Sequence, residues 1–339
     1  MEYKEILAKA KTLIGSSCRV CRECNGVACR GEIPGMGGKG SGSSFMRNFE
    51  KLAELKLNMD TLYEPGKVET SIELFGQKFS LPVFAAPIGG LQQHYGEALN
   101  DEEYSYAIVS GCKNAGTAGF TADGVKNEFY DLPLKAIERV GGWGIPTIKP
   151  WSTEEVIAKA KKAEAAGALA AAMDIDAAGL TVLAAMGKPV SSKSVGEIRE
   201  ITSSTRLPFI IKGIMTPAAA EKAVEAGAYG IVVSNHGGRV LDHTPATVEV
   251  LPEISRAVGG SIKIFVDGGV RSGIDIMKML ALGADAVLIG RPYAVAAYGG
   301  GAEGVELYTK KLGAELRDAM TMTGCATLAD IDEQVIFRG

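Results

Sequence analysis

Three times in this chain a helix-forming stretch closes in Ala-Gly or Leu-Gly, turns, and feeds an apolar run that ends on a polar residue. The copies are Glu164-Ala-Ala-Gly-Ala-Leu-Ala-Ala-Ala-Met-Asp-Ile-Asp176, Glu225-Ala-Gly-Ala-Tyr-Gly-Ile-Val-Val-Ser-Asn-His236 and Ala281-Leu-Gly-Ala-Asp-Ala-Val-Leu-Ile-Gly-Arg291. Glycine just past a helix takes the left-handed conformation without a Cβ clash, and an apolar run lacking polar alternation suits a strand buried on both faces. Each copy therefore predicts a helix feeding a buried parallel strand. Gly167, Gly227 and Gly283 are far enough apart to leave a further strand in each gap, and residues 208–212 and 262–267 supply them. Earlier strand candidates are 81–86, 117–121 and 145–149, with helices expected at about 100–114, 152–166, 216–226 and 272–282. About eight strands alternating with helices predict an α/β chain folded as a TIM (β/α)8 barrel.

Residues 76–339 are assigned to that barrel, and residues 1–75 to an N-terminal extension with helices near 2–14 and 45–56. Between those helices lies a Cys- and Gly-rich segment. Its stretch Gly35-Met-Gly-Gly-Lys-Gly-Ser-Gly-Ser-Ser44 reads either as a flexible linker or as a loop over the barrel mouth. The balance of 36 Lys plus Arg against 40 Asp plus Glu offers no basic stripe, so nucleic acid is not an expected partner. The charged N-terminus is unlike a signal peptide, and the most membrane-like stretch, residues 165–187, carries Asp174 and Asp176 near its middle. A cytoplasmic protein with no membrane partner is the expectation.

In a barrel of this kind chemistry gathers where the strands end and their loops converge. Here those ends carry Lys149, Asp174, Asp176, Lys212, residues 234–239, residues 267–271, Gly290 and Arg291. Polar residues also end strands for no reason but solvation. The segment Ser234-Asn-His-Gly-Gly-Arg239 brings an imidazole that can take a proton near neutral pH beside a guanidinium fork for a carboxylate. Asp267-Gly-Gly-Val-Arg271 and Gly290-Arg291 end the last two strands. Glycine N–H groups and arginines at those two loops point to a phosphate site.

These segments, with residues 281–292, resemble the FMN-dependent alpha-hydroxy-acid dehydrogenases and oxidases of the glycolate and lactate oxidase group. The resemblance is close from about residue 207 to the C-terminus, looser over 81–176, and nearly gone before Phe45. It implies an enzyme that oxidises a 2-hydroxy acid, with FMN as cofactor and a homo-oligomer, a tetramer among the options. By resemblance His236 is the base, Arg239 the carboxylate anchor and Asp176 the group that orients the imidazole. Lys212 would lie near the flavin N1 and C2 carbonyl, and a buried lysine there would find its anionic partner in the reduced ring. Ser234 would contact the flavin and Asp267 the ribityl chain. Gly268, Gly269, Arg271, Gly290 and Arg291 would surround the phosphate, and Ala85, Ala86 and Pro87 would back the ring.

The substrate half departs from the family pattern. The arginine expected after the fourth strand is missing, since no Arg occurs between Arg139 and Arg199. A third-strand tyrosine is missing too, and so is the tyrosine of the N-terminal segment. Lys149 or Arg47 is the expected replacement for the lost anchor, unless Lys149 is a plain solvated strand end. Cys18, Cys21, Cys24 and Cys29 fall as C-x2-C-x2-C-x4-C, close to but not the same as ferredoxin spacing. An iron–sulfur cluster, zinc, and free thiols or a redox disulfide all remain open readings. Two alternatives to hydroxy-acid oxidation follow: an FMN enzyme on another substrate that exchanges electrons with such a cluster, and a sensor without turnover.

Overall fold

The computed structural model describes residues 2–32, 36–64, 66–180, 183, 185–188 and 190–338; Gly35, first residue of the glycine-rich stretch, lies outside them. A short antiparallel hairpin, β1 (Ile72–Leu74) and β2 (Gln77–Phe79), precedes eight parallel strands. These are β3 (Val83–Ala85), β4 (Phe120–Thr121), β5 (Ile145–Ile148), β6 (Ala171–Asp174), β7 (Phe209–Ile214), β8 (Gly230–Val233), β9 (Lys263–Val266) and β10 (Ala286–Ile289). Each pairs with its neighbour in chain order, β10 returns to β3, and a bridge between Ala85 and Gly119 closes the ring. The TIM (β/α)8 barrel is the fold, and its strands lie within or against the segments expected from sequence.

The helices are α1 (Tyr3–Leu13), α2 (Ser43–Glu54), α3 (Leu91–His94), α4 (Asp101–Asn114), α5 (Glu128–Arg139), α6 (Thr153–Ala165), α7 (Val195–Ser204), α8 (Pro217–Glu225), α9 (Thr247–Val258), α10 (Gly273–Ala281) and α11 (Arg291–Met322). Among the described residues no helix is long and apolar enough to cross a membrane. Sequence reasoning omitted α3, α5, α7, α9 and α11, of which α5 and α9 carry an internal proline, Pro133 and Pro252.

Side chains alternate sides along a strand, so residues two apart share a face. Phe84, Phe120, Ile145, Ala172, Ile210, Val232, Phe265 and Leu288 all turn inward and form a core inside the ring, separate from the larger core between strands and helices. Its floor is closed by the hairpin, where Phe75 stacks on Phe265 at 5.9 Å and Phe79 meets Phe84 edge-on at 5.1 Å. Burying each such phenyl ring contributes roughly 1.5–3 kcal/mol. Two residues further along, the same inward face presents Lys212 on β7, and just past their strands Ser234 and Asp267; Asp174 stands in the same position after Ala172. The pleat that fills the core thereby delivers polar groups to the mouth.

The extension packs over that mouth. Asn48 on α2 exchanges side-chain hydrogen bonds with Asn235 (2.8 and 3.0 Å), and Lys278 Nζ donates to Leu52 O at 2.9 Å. Lys39 N donates to Gly238 O at 2.8 Å, while Asp242 accepts from Ser41 and Ser43 hydroxyls, each at 2.8 Å. The described part of the glycine-rich stretch is thus folded against residues 238–242 and is not a free linker. The boundary expected at residue 75 falls in the turn of the β1–β2 hairpin.

Candidate active site

His236 stands in a left-handed backbone conformation (φ 57°), a state that costs energy for a non-glycine residue and needs its surroundings to hold it. The turn is held from both sides. Ser234 Oγ accepts from His236 N (3.0 Å) and donates to Asp267 Oδ2 (2.9 Å), and Asn235 Nδ2 donates to Thr244 Oγ1 and Pro245 O. His236 Nδ1 lies 3.0 Å from Asp176 Oδ1. Asp176 reaches it because β7 bulges at Gly213 (φ 106°), where a Cβ would overlap the Asp176 side chain. A carboxylate at Nδ1 places the proton there and leaves Nε2 as the acceptor. Burial lowers the affinity of His236 for a second proton, and the Lys212 charge lowers it further, against opposition from Asp176 and Asp174. The resting imidazole is neutral.

Below it lies a buried charge cluster. Asp174 Oδ2 accepts from Lys149 Nζ at 2.7 Å, and Asp174 Oδ1 sits 3.1 Å from Lys212 Nζ. Burial alone would raise the Asp174 carboxyl, yet the two ammonium groups hold it far below the ordinary range. For Lys212 burial likewise opposes the charge, and Asp174 and Asp176 outweigh it. Two expectations are corrected here. Lys212 already has a protein carboxylate and does not depend on a reduced ring for its partner. Lys149 is tied to Asp174, so it is neither a solvated strand end nor a free anchor. Arg47, the other suggested anchor, forms a two-pronged pair with Glu249 (2.6 and 2.5 Å) on the surface, outside both cavities described below.

A cavity runs from His236 and Lys212 past Ala86 and Pro87 to Asp267, Arg271 and Arg291. Ala85 does not line it, because one step along β3 its side chain turns outward into the core beneath the helices. Gly268 and Gly269 have φ of 101° and 82°, and a Cβ on Gly269 would overlap the Asn48 carbonyl. The Asp267 Oδ1 atom is buried with no protein partner, and burial raises the Asp267 carboxyl to about 6 despite Lys212 and Ser234. At the far end Arg271 Nε donates to Cys24 O (2.9 Å), Arg291 Nε donates to Met36 O (2.8 Å), and the Phe45 ring lies 3.9 Å from the Arg291 guanidinium. The extension therefore shares the arginines.

A second, larger cavity meets the first at Pro87, Ile88, His236 and Arg239. Val125, Phe129, Leu180 and Leu183 give it an apolar wall, and His94 and Lys39 stand on it with Arg239. Sequence reasoning overlooked Lys39, whose Nζ donates to Val240 O (3.1 Å) and Gly179 O (3.4 Å). Its place in a glycine-rich run gave no periodic signal.

All four extension cysteines are free thiols, with Cys29 buried and Cys21 exposed. Burial raises the Cys18 thiol to about 11, and Cys21, Cys24 and Cys29 are near enough to raise it further. Among the described residues no three of their sulfurs lie within 4.8 Å of one another. Tetrahedral zinc at about 2.3 Å per bond needs sulfurs roughly 3.8 Å apart, so the segment as folded is not a zinc tetrahedron. The trio whose ligand atoms do lie within 4.8 Å of one another, Asp174, Asp176 and His236, has the Lys212 ammonium against it.

A neutral imidazole faces one cavity lined by glycines and arginines and another with an apolar wall, an arrangement that suits a barrel enzyme holding a phosphate-tailed cofactor. Residues 35–184 and 182–338 match the family model of the FMN-dependent dehydrogenases. An L-lactate dehydrogenase of Alcaligenes faecalis is 30% identical over 89% of this chain and 93% of its own length. A 2-hydroxyacid oxidase of Dictyostelium discoideum is 47% identical over 42% of this chain and 36% of its own. A mandelate oxidase variant solved with benzoyl-formic acid superposes with a TM-score of 0.80 at 27% identity, covering 99% of this chain and 97% of that one. The chain belongs to the FMN-dependent dehydrogenase family and is an alpha-hydroxy-acid oxidoreductase. FMN fits the residues present: the orphaned Asp267 Oδ1 can accept from a sugar hydroxyl, and the glycines leave room beside two arginines.

Proposed function

We propose that this protein converts a 2-hydroxy acid carrying an apolar side chain to the 2-oxo acid, with His236 as base and Arg239 as carboxylate anchor. The observation that carries the reading is the place of both residues on the wall shared by the two cavities, with His236 oriented by Asp176 at 3.0 Å. The substrate loses two protons and two electrons. His236 Nε2 takes the hydroxyl proton, Asp176 stabilises the imidazolium so formed, and Arg239 holds the carboxylate. FMN, when bound, would accept the two electrons and the second proton, the one from the substrate's α carbon. Ser234 and Asp267 would hold the cofactor's sugar chain, Ala86 and Pro87 would back its ring, and Gly268, Gly269, Arg271, Gly290 and Arg291 would meet its phosphate. The apolar wall favours a substrate larger than glycolate.

Anaerobic addition of 2-hydroxy acids to the FMN-loaded protein tests this. Mandelate or a branched aliphatic 2-hydroxy acid is expected to bleach the flavin absorbance faster than glycolate does. If no 2-hydroxy acid bleaches it, the substrate is of another class.

One observation favours an added electron route. Arg271, at the phosphate end of the first cavity, is bonded to the carbonyl of Cys24, so the four-cysteine segment abuts the cofactor site. A cluster held by Cys18, Cys21, Cys24 and Cys29 could then exchange single electrons with FMN, and six unbonded thiols suit a reducing, cytoplasmic setting. Anaerobically purified protein is expected to contain iron and acid-labile sulfide in comparable amounts. Protein free of both iron and zinc would return these residues to plain thiols.

A further inference from the structure

Arg239 is half-buried and unusual in its company. Among the described residues no carboxylate lies within 4.0 Å of it, and its guanidinium has one side-chain partner, the Nε2 atom of His94 at 3.2 Å. A guanidinium only donates, so His94 Nε2 must accept and the imidazole must be neutral with its proton on Nδ1. Burial, and then the Arg239 charge itself, lowers His94 to about 4, which keeps it neutral under ordinary conditions. His94 closes the short α3 helix directly after the segment that lines both cavities, and its own side chain lines the larger one beside Arg239.

An acidic residue at this position would also have held the guanidinium, and more tightly, since a carboxylate adds the attraction of an opposite charge and can take two parallel N–H bonds. It would have neutralised the anchor as well. A neutral imidazole fixes the orientation and leaves the positive charge uncompensated. Two other cations stand on this wall: Lys149 is paired with Asp174, whereas Lys39 is bonded to the carbonyl oxygens of Val240 and Gly179. The cavity therefore retains charge for an anionic ligand although the arginine after the fourth strand and both expected tyrosines are missing.

We infer that His94 is a positioning residue for Arg239, and that its neutrality reserves the guanidinium charge for the substrate carboxylate. This rests on the reading of Arg239 as the anchor and adds the means by which one arginine serves alone.

The test uses the FMN-loaded enzyme, with the 2-oxo acid product titrated against the flavin spectrum to give Kd, and KM and kcat measured for the 2-hydroxy acid. His94→Gln keeps an acceptor where Nε2 stands and is expected to change Kd by no more than about 3-fold. His94→Leu removes the acceptor and is expected to weaken binding by about 10-fold. His94→Glu neutralises the anchor and is expected to weaken it by about 100-fold, in line with the strength of a hydrogen bond to a charged group. The effect should fall on Kd and KM more than on kcat. For the uncharged amide of the same acid the His94→Glu penalty should vanish, which a merely misfolded site would not allow. Wild-type protein that binds the 2-oxo acid, with all three variants binding it equally well, overturns the inference while sparing the proposed function. Wild-type protein that binds no 2-oxo acid overturns both.

Discussion

Replacing His236 with Ala is expected to lower the rate of flavin reduction by the 2-hydroxy acid about 10²- to 10⁴-fold, the range a positioned general base contributes. Binding of the 2-oxo acid should change little by comparison, because Arg239 keeps its contact with His94. The sign of the pH dependence follows from the same site. Burial and then Lys212 lower the His236 pKa from its ordinary 6.5, so the neutral base persists into more acidic solution. The acid limb of kcat/KM assigned to His236 should therefore fall below pH 6.5 in the wild type and be absent from the residual activity of His236→Ala. Anaerobic stopped-flow reduction across pH measures both. An Ala variant reduced at the wild-type rate would remove His236 as the base.

The largest effect on stability is expected at Asp174. Its carboxylate stands between the ammonium groups of Lys149 (2.7 Å) and Lys212 (3.1 Å), all three residues buried. Breaking a buried ion pair by removing one partner costs about 3–5 kcal/mol, because the partner's charge is left uncompensated in a low-dielectric interior. Asp174→Ala strands two cations, and Asp176, 4.0 Å from Lys212, and the more distant Asp267 offer partial relief. The apparent Tm should fall by roughly 5 °C for a chain of this size. Lys149→Met leaves Asp174 paired with Lys212 and should cost distinctly less. Thermal unfolding of the two variants, with FMN at the same saturating concentration, separates them. Equal Tm values would mean that the cluster is not the buried charge balance described here.

The parts of the site that could be read from the chain are those set by local pattern. Gly227 past α8, the apolar run of β8 and the polar residues after it place Ser234, His236 and Arg239 at one strand end without reference to anything distant. The same reasoning recovers Asp267 after β9 and Arg291 after β10. Helices α5 and α9 escaped it because Pro133 and Pro252 interrupt their patterns, although both helices form in the structure. Ala85 was misjudged by one pleat. The motif that places Ala86 and Pro87 in the cavity places Ala85 on the opposite face.

Charge partners were the least accessible from sequence. A lysine at a strand end looks the same whether it faces solvent, a ligand or a carboxylate, and Lys149 and Lys212 both proved to meet Asp174. Arg47 looked available until α2 packed beside Glu249. Lys39, which no motif marked, and His94, noted only as following the segment that resembles the ring-backing motif, reach the substrate cavity because the extension and α3 fold across its mouth.

The order of the barrel, its inward pleat and the identities of the residues at its strand ends were determined by the sequence alone, because a period of two and a glycine after a helix act over a few residues. Which of those residues meet was decided only by the closed ring. The pairs that shape the site, Lys149 with Asp174, His236 with Asp176 and Arg239 with His94, join positions 25, 60 and 145 residues apart, and no local preference extends so far. Burial then sets their charge states, since the interior that brings them together also removes the water that would have screened them.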